Sequence, residues 1–119
     1  MGWKMIERGG IYLARLNPAR GAEPGKVRPV LVLQSDLLTQ VGHTTVVILP
    51  LSTHLIDDAE PLRLRIGKRE KLEHDSDLLC DQIRAIDRRR ILSEKLASLT
   101  PEEMLKVEAM VSLILDFES

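Results

Sequence analysis

"GAEPGKVRPVLVLQ", Gly21 to Gln34, passes from a turn-forming, charged loop straight into a continuous apolar run. "VRPVLVLQ" reads as a strand, and Pro29, which has no N–H to give to a ladder, belongs to its first residues or to an edge. Arg28 therefore stands at a strand start. A guanidinium buried there without a partner would cost several kcal/mol, so Arg28 must meet an anion or water. Glu23 is one candidate anion and a phosphate brought in from outside is the other. The preceding loop of about ten residues, with Gly21, Pro24 and Gly25, is long for a tight hairpin and is a candidate functional loop.

The neighbouring segments extend the same pattern. "GGIYLARL", Gly9 to Leu16, is β-branched, aromatic and partly alternating, and Asn17-Pro18 ends it. A polar connection leads from Gln34 to "TTVVILPL", Thr44 to Leu51, a third strand apolar enough to be buried on both faces, with Pro50 marking its end. "LRLRI", Leu62 to Ile66, alternates with period two, which puts Arg63 and Arg65 on one face and Leu62, Leu64 and Ile66 on the other. "SDLLCDQIRAID" supplies one or two further strand segments around Leu78 to Asp87. The period then changes. Thr100, Pro101 and Glu103 form an N-cap, a first-turn proline and a capping-box acid, and Met104, Val107, Val111 and Ile114 recur at helical spacing, which predicts a helix to about Phe117. About six strands and one C-terminal helix make a small, mostly antiparallel curled sheet closed by a helix.

The 119 residues suit one domain with one modest core. Lys and Arg number 17 against 18 Asp and Glu, a net charge of −1, so any nucleic-acid contact has to rest on local positive charge. Such charge gathers in Arg63, Arg65, Lys68, Arg69 and Lys71, with Arg84, Arg88, Arg89 and Arg90, which reads as an exposed face or as a surface tracking a nucleic-acid backbone. Lone Cys80 excludes an internal disulfide, fits a reducing compartment and reads as a buried apolar side chain. The opening "MGWKMIERGG" lacks an apolar leader core, and no apolar run is long enough to cross a bilayer, so a cytoplasmic protein is expected. His43, His54 and His74 are scattered and read as solvated loop histidines, and "DDAE", Asp57 to Glu60, reads as a solvated acidic loop, so no metal site is expected.

RNA can be cut without a metal when its own 2′-hydroxyl attacks the adjacent phosphorus. That needs a proton acceptor, a donor to the leaving 5′-oxygen and positive charge on the phosphorane oxygens. A guanidinium such as that of Arg28 forks onto phosphate oxygens, and Ser52 and Thr53, on a strand-to-loop exit, offer hydroxyl donors. From spacing alone, an Arg beside a Glu is more often a structural ion pair than a catalytic group.

"RGGIYLARLNP", "GAEPGKVRPVLVLQSD", "VVILPLST", "DSDLLCDQIRAIDRRRI" and the terminal helix, in that order, resemble the MazF/PemK family of toxin endoribonucleases from bacterial toxin–antitoxin systems. The resemblance covers nearly the whole chain and implies a single domain over residues 1–119, an SH3-like barrel of six or seven largely antiparallel strands with a C-terminal helix, shared with the CcdB gyrase toxins. It also implies a homodimer, a cognate MazE-like antitoxin, and cleavage of single-stranded RNA at short motifs, without metal or cofactor, to a 2′,3′-cyclic phosphate and a 5′-hydroxyl. Carried over residue by residue, Arg28 takes the place of the arginine of the family's "RP" motif, Glu23 that of its loop carboxylate, and Ser52 that of the hydroxyl residue after the third strand, where the family usually has threonine. Thr53 stands next to it, and strand alternation lets only one of the two face Arg28. Gln82 matches a groove position, and Lys26, Thr53 and Arg84 join it as expected RNA contacts. Which group is the base stays open. A CcdB-like toxin that only binds a protein such as gyrase is the rival, though a pure binder needs no Arg28 and Ser52 pair. A plain RNA-binding barrel would want stacking aromatics, and Trp3, Tyr12 and Phe117 are few and dispersed.

Overall fold

A computed structural model describes residues 5–17 and 26–117. Seven strands, β1 (Gly10–Arg15), β2 (Val27–Val32), β3 (Thr45–Ser52), β4 (Arg63–Ile66), β5 (Ser76–Leu79), β6 (Arg84–Asp87) and β7 (Ala97–Ser98), form one antiparallel half-barrel in the order β4-β5-β3-β2-β1-β7, with β6 beside the first half of β3. A short helix α1 (Asp36–Gln40) and a C-terminal helix α2 (Pro101–Leu115) complete it. The mostly-β fold with a closing helix is the one expected. Among the described residues no helix is long and apolar enough to cross a membrane.

Alternation along the curled sheet divides the core in two. Ile11, Leu31, Leu49, Leu51, Leu64 and Leu78 face α2 and pack on Met104, Val107, Met110 and Val111. Tyr12, Ala14, Val30, Val32, Val46 and Ile48 face the other way, with Ile86 and Ile91. Tyr12 is fully buried, its hydroxyl donating to the Met5 carbonyl and accepting from the Glu7 N–H, so it is no stacking platform. At α2 the capping box forms as the sequence predicts: Thr100 Oγ1 accepts from the Glu103 N–H, and Glu103 accepts from the Thr100 N–H. Cys80 is buried, and burial, with Asp81 nearby, pushes its thiol up to about 11.

Three details differ from expectation. Pro50 does not end β3, which runs on to Ser52. The Val47 carbonyl accepts from Leu33 on the β2 side, so alternation turns the Pro50 nitrogen to the opposite side. There β3 changes partner, from β6 up to Ile48 to β5 from Leu51, and the missing N–H falls in that gap. The connection after Gln34 contains α1, capped by Ser35, whose Oγ accepts from the Leu37 N–H. Leu62 lies before β4 and is half exposed instead of sharing the core with Leu64 and Ile66.

Candidate functional site: a cationic groove

The pairing of β2 with β3 sets Val30 opposite Pro50 and Val32 opposite Ile48. That pairing ends at Val30 and Pro50; two residues beyond, alternation puts Arg28 of β2 and Ser52 of β3 on the same face as Val30 and Pro50, and both line one groove. Ser52 is paired in turn with Asp77 of β5, and Asp77 with Arg65 of β4. A row Ser52, Asp77, Arg65 therefore crosses three strands, and Arg63, paired with Leu79, lies in the next row on that face.

Over this face opens a groove of about 450 Å³. Arg28, Ser52 and Pro50 line its middle, with Lys26 and Asn17 at the mouth of the loop, Arg63 and Leu79 on one wall, and Gln82 and Arg84 on another. Four of the described lining side chains are cations and none is a carboxylate. Arg28 is half-buried and, among the described residues, makes no ion pair. Thr53, one residue past Ser52, is exposed and not among the lining residues. Glu23 lies outside the described residues.

Ser52 is oriented by its own turn. Its Oγ accepts from the His54 N–H at 3.1 Å, which occupies a lone pair and leaves the hydroxyl proton free to donate into the groove. His54, read from the sequence as a solvated loop residue, lines the groove as well. Its carbonyl accepts from Arg63 Nη1 at 2.9 Å. Arg84 Nη2 and Arg90 Nη1 both donate to the Leu16 carbonyl, at 3.1 and 3.0 Å, and the Leu16 N–H donates to the Lys26 carbonyl, so the two ends of the loop are held together at its base.

Asp77 holds the wall together. Its carboxylate is 1% exposed and accepts from Arg65 Nε at 2.6 Å, from the Ile56 N–H at 2.8 Å and from Arg63 Nη1 at 3.2 Å. Burial by itself would raise its pKa; the bonds from Arg65, Ile56 and Arg63 outweigh that and hold the carboxyl below its ordinary value. The stabilisation is present above the unfolded-state value of 3.8 and is lost as pH falls through the depressed folded value. Asp77→Asn should destabilise the fold by about 2 kcal/mol, less than a fully buried pair loses because Arg63 and Arg65 can reach water, and should remove part of the acid sensitivity. Urea melts at pH 7 and pH 3 check both; equal stability of the two proteins at pH 7 would contradict it.

The basic residues beyond the groove do not form one face. Arg69 forks onto Glu103 of α2, Arg89 onto Asp87, and Arg65 also reaches Asp57 of the acidic loop. Of that expected cluster only Arg63 and Arg84 line the groove. Among the described residues no group of three or more His, Cys, Asp and Glu is placed to hold a metal ion.

The fold and groove define a small β half-barrel with fixed positive charge and an oriented hydroxyl on one open groove. A family model described as PemK-like, MazF-like toxin of type II toxin–antitoxin system matches residues 7–115. The chain is 40% identical over 113 residues to an endoribonuclease MazF of Staphylococcus epidermidis, covering 93% of this chain and 92% of that one. Its fold is similar to that of a MazE–MazF complex from Deinococcus radiodurans (TM-score 0.78, 20% identity, 95% of this chain and 97% of that one). It is similar too to a mycobacterial endoribonuclease in complex with its cognate antitoxin (TM-score 0.76, 18% identity, 97% and 99% covered). The chain belongs to the PemK-like, MazF-like toxins of type II toxin–antitoxin systems.

Proposed function

We propose that this chain is a sequence-selective endoribonuclease toxin that cuts single-stranded RNA through the substrate's own 2′-hydroxyl, without a metal or cofactor. The observation that supports the reading is that Arg28 and Ser52 line one cationic groove with no described carboxylate in its lining. Arg28 forks onto the non-bridging oxygens as negative charge builds on the phosphorane, and the Ser52 hydroxyl donates to the scissile phosphate. Lys26, Gln82 and Arg84 hold flanking nucleotides, and Glu23 orients the reacting groups or takes the proton of the 2′-hydroxyl. A toxin that acts only by binding a protein would not need this pair. Ser52→Ala should slow cleavage by about tenfold or more, whereas Thr53→Ala, which removes a hydroxyl outside the groove, should do much less. Single-turnover rates on one RNA distinguish them, and the reverse order would shift the site by one residue.

The partner is a MazE-like antitoxin whose acidic segment occupies the groove in place of RNA, the two competing for Lys26, Arg28 and Arg84. The chain forms a homodimer, which accords with the exposure of Leu105 and Leu113 on α2, and sedimentation at micromolar concentration tests it. It is a single domain over residues 1–119 and works in the cytoplasm, where a free Cys80 stays reduced. Incubation of the purified protein with a long RNA in EDTA tests the function. Discrete cuts that the antitoxin suppresses are expected; intact RNA would leave only a binding role.

A further inference from the structure

The turn that leaves β3 is held at four points. The His54 N–H donates to Ser52 Oγ at 3.1 Å, the His54 carbonyl accepts from Arg63 Nη1 at 2.9 Å, the Ile56 N–H donates to Asp77 Oδ2 at 2.8 Å, and Asp57 accepts from Arg65 Nη2 at 2.9 Å. The last three reach side chains of β4 and β5, and Asp77 stands behind all of them: it takes the Ile56 N–H itself and binds both Arg63 and Arg65. Register puts it there, since Asp77 is the strand partner of Ser52 on one side and of Arg65 on the other. Its carboxylate is 1% exposed and is not part of the groove lining. Stability alone does not call for such a cluster, because well-packed apolar side chains of similar volume often serve as well or better than buried ion pairs. An apolar residue at that position could not, however, hold the backbone of the turn by hydrogen bonds.

We infer that Asp77 is a positioning residue for the Ser52 hydroxyl, acting through Arg63 and the Ile56 N–H on the turn whose His54 N–H orients Ser52 Oγ. The inference rests on the ribonuclease reading above and deepens it. A serine hydroxyl is a free rotor with one proton and two lone pairs, and the His54 N–H directs it by engaging one of those lone pairs. That N–H keeps its direction because the carbonyl of the same residue is tied to Arg63 and the backbone two residues on is tied to Asp77. Without the carboxylate, the Ile56 N–H loses its acceptor, and Arg63, whose side chain is already 21% exposed, can swing to water and release the His54 carbonyl. The Ser52 proton then has no fixed aim, although the hydroxyl is still present.

The test is a double-mutant cycle on single-turnover cleavage at saturating RNA, with wild type, Asp77→Ala, Ser52→Ala and the double variant, at a temperature where melting shows each one folded. Alanine removes both acceptor oxygens, whereas asparagine could keep one turned toward Ile56 and Arg63. Asp77→Ala should slow cleavage by about fivefold or more when Ser52 is present, and by less than about twofold when Ser52 is already alanine. Affinity for an uncleavable 2′-deoxy RNA should not fall, because Asp77 does not line the groove. A residue that served stability alone would slow both backgrounds equally. Equal slowing would therefore overturn the inference, as would a folded Asp77→Ala protein that cuts at the wild-type rate, or one that loses affinity with no loss of rate at saturation. Should Asp77→Ala not fold, Arg63→Met takes its place in the cycle: Asp77 keeps Arg65 and the Ile56 N–H, the hold on the His54 carbonyl is lost, and the same comparison of the two backgrounds decides. In each overturning case, slow cutting by Ser52→Ala would leave the ribonuclease reading standing; a wild-type protein that does not cut would overturn both.

Discussion

Arg28→Ala should abolish RNA cleavage and leave the fold in place. Arg28 enters β2 opposite Ala14 of β1 and lines the groove together with Ser52, so its guanidinium is carried by a strand instead of a loop. It forms no ion pair among the described residues, so truncation strands no described carboxylate and the stability cost should be small. The rate cost is large because the charge acts where the phosphorane forms: removal of one such preorganised donor costs about 100- to 1,000-fold, and Arg28 offers two. Arg28→Lys should recover only part of the rate, since an ammonium is a point charge and cannot fork onto two oxygens. Cleavage rates on a defined RNA, beside circular dichroism of each variant, check this. A folded alanine variant that cuts at the wild-type rate would remove Arg28 from the site.

An RNA carrying a single deoxynucleotide on the 5′ side of the cut should resist cleavage altogether while still binding. The substitution removes the attacking oxygen and nothing else. The contacts proposed for Lys26, Arg28, Gln82 and Arg84, all of which line the groove, would go mostly to phosphates and bases, and the substitution leaves these untouched. Competition binding against the all-ribose RNA should show nearly equal affinity. Cleavage at the substituted bond would mean that water or a protein side chain is the nucleophile.

Much of the fold is legible in the chain because its signals are local. Thr100, Pro101 and Glu103 specify the start of α2 within four residues, and alternation in "LRLRI" puts Arg63 and Arg65 on one face, where both meet Asp77. What was not legible depends on register. Ser52 and Thr53 are equivalent as sequence; only the alignment of β3 with β2 and β5 sets Ser52 over the groove. His54 is the exposed loop residue the sequence suggests, and only the fold shows that it borders the groove. Asp77 follows the polar run Glu73 to Ser76 as one acid among several, its arginine partners twelve and fourteen residues away in sequence, and the pairing of Arg69 with Glu103 spans thirty-four. α1 and the two-residue β7 are too short for a periodic signal.

The chemistry of the new ends tests the central claim most directly. The protein is incubated in EDTA with a short RNA containing one cut site, and both fragments are characterised by mass spectrometry. Attack by the 2′-hydroxyl predicts a 2′,3′-cyclic phosphate on the upstream fragment and a free 5′-hydroxyl on the downstream one. A 3′-hydroxyl with a 5′-phosphate, or cleavage that stops in EDTA, would contradict the mechanism assigned to Arg28 and Ser52.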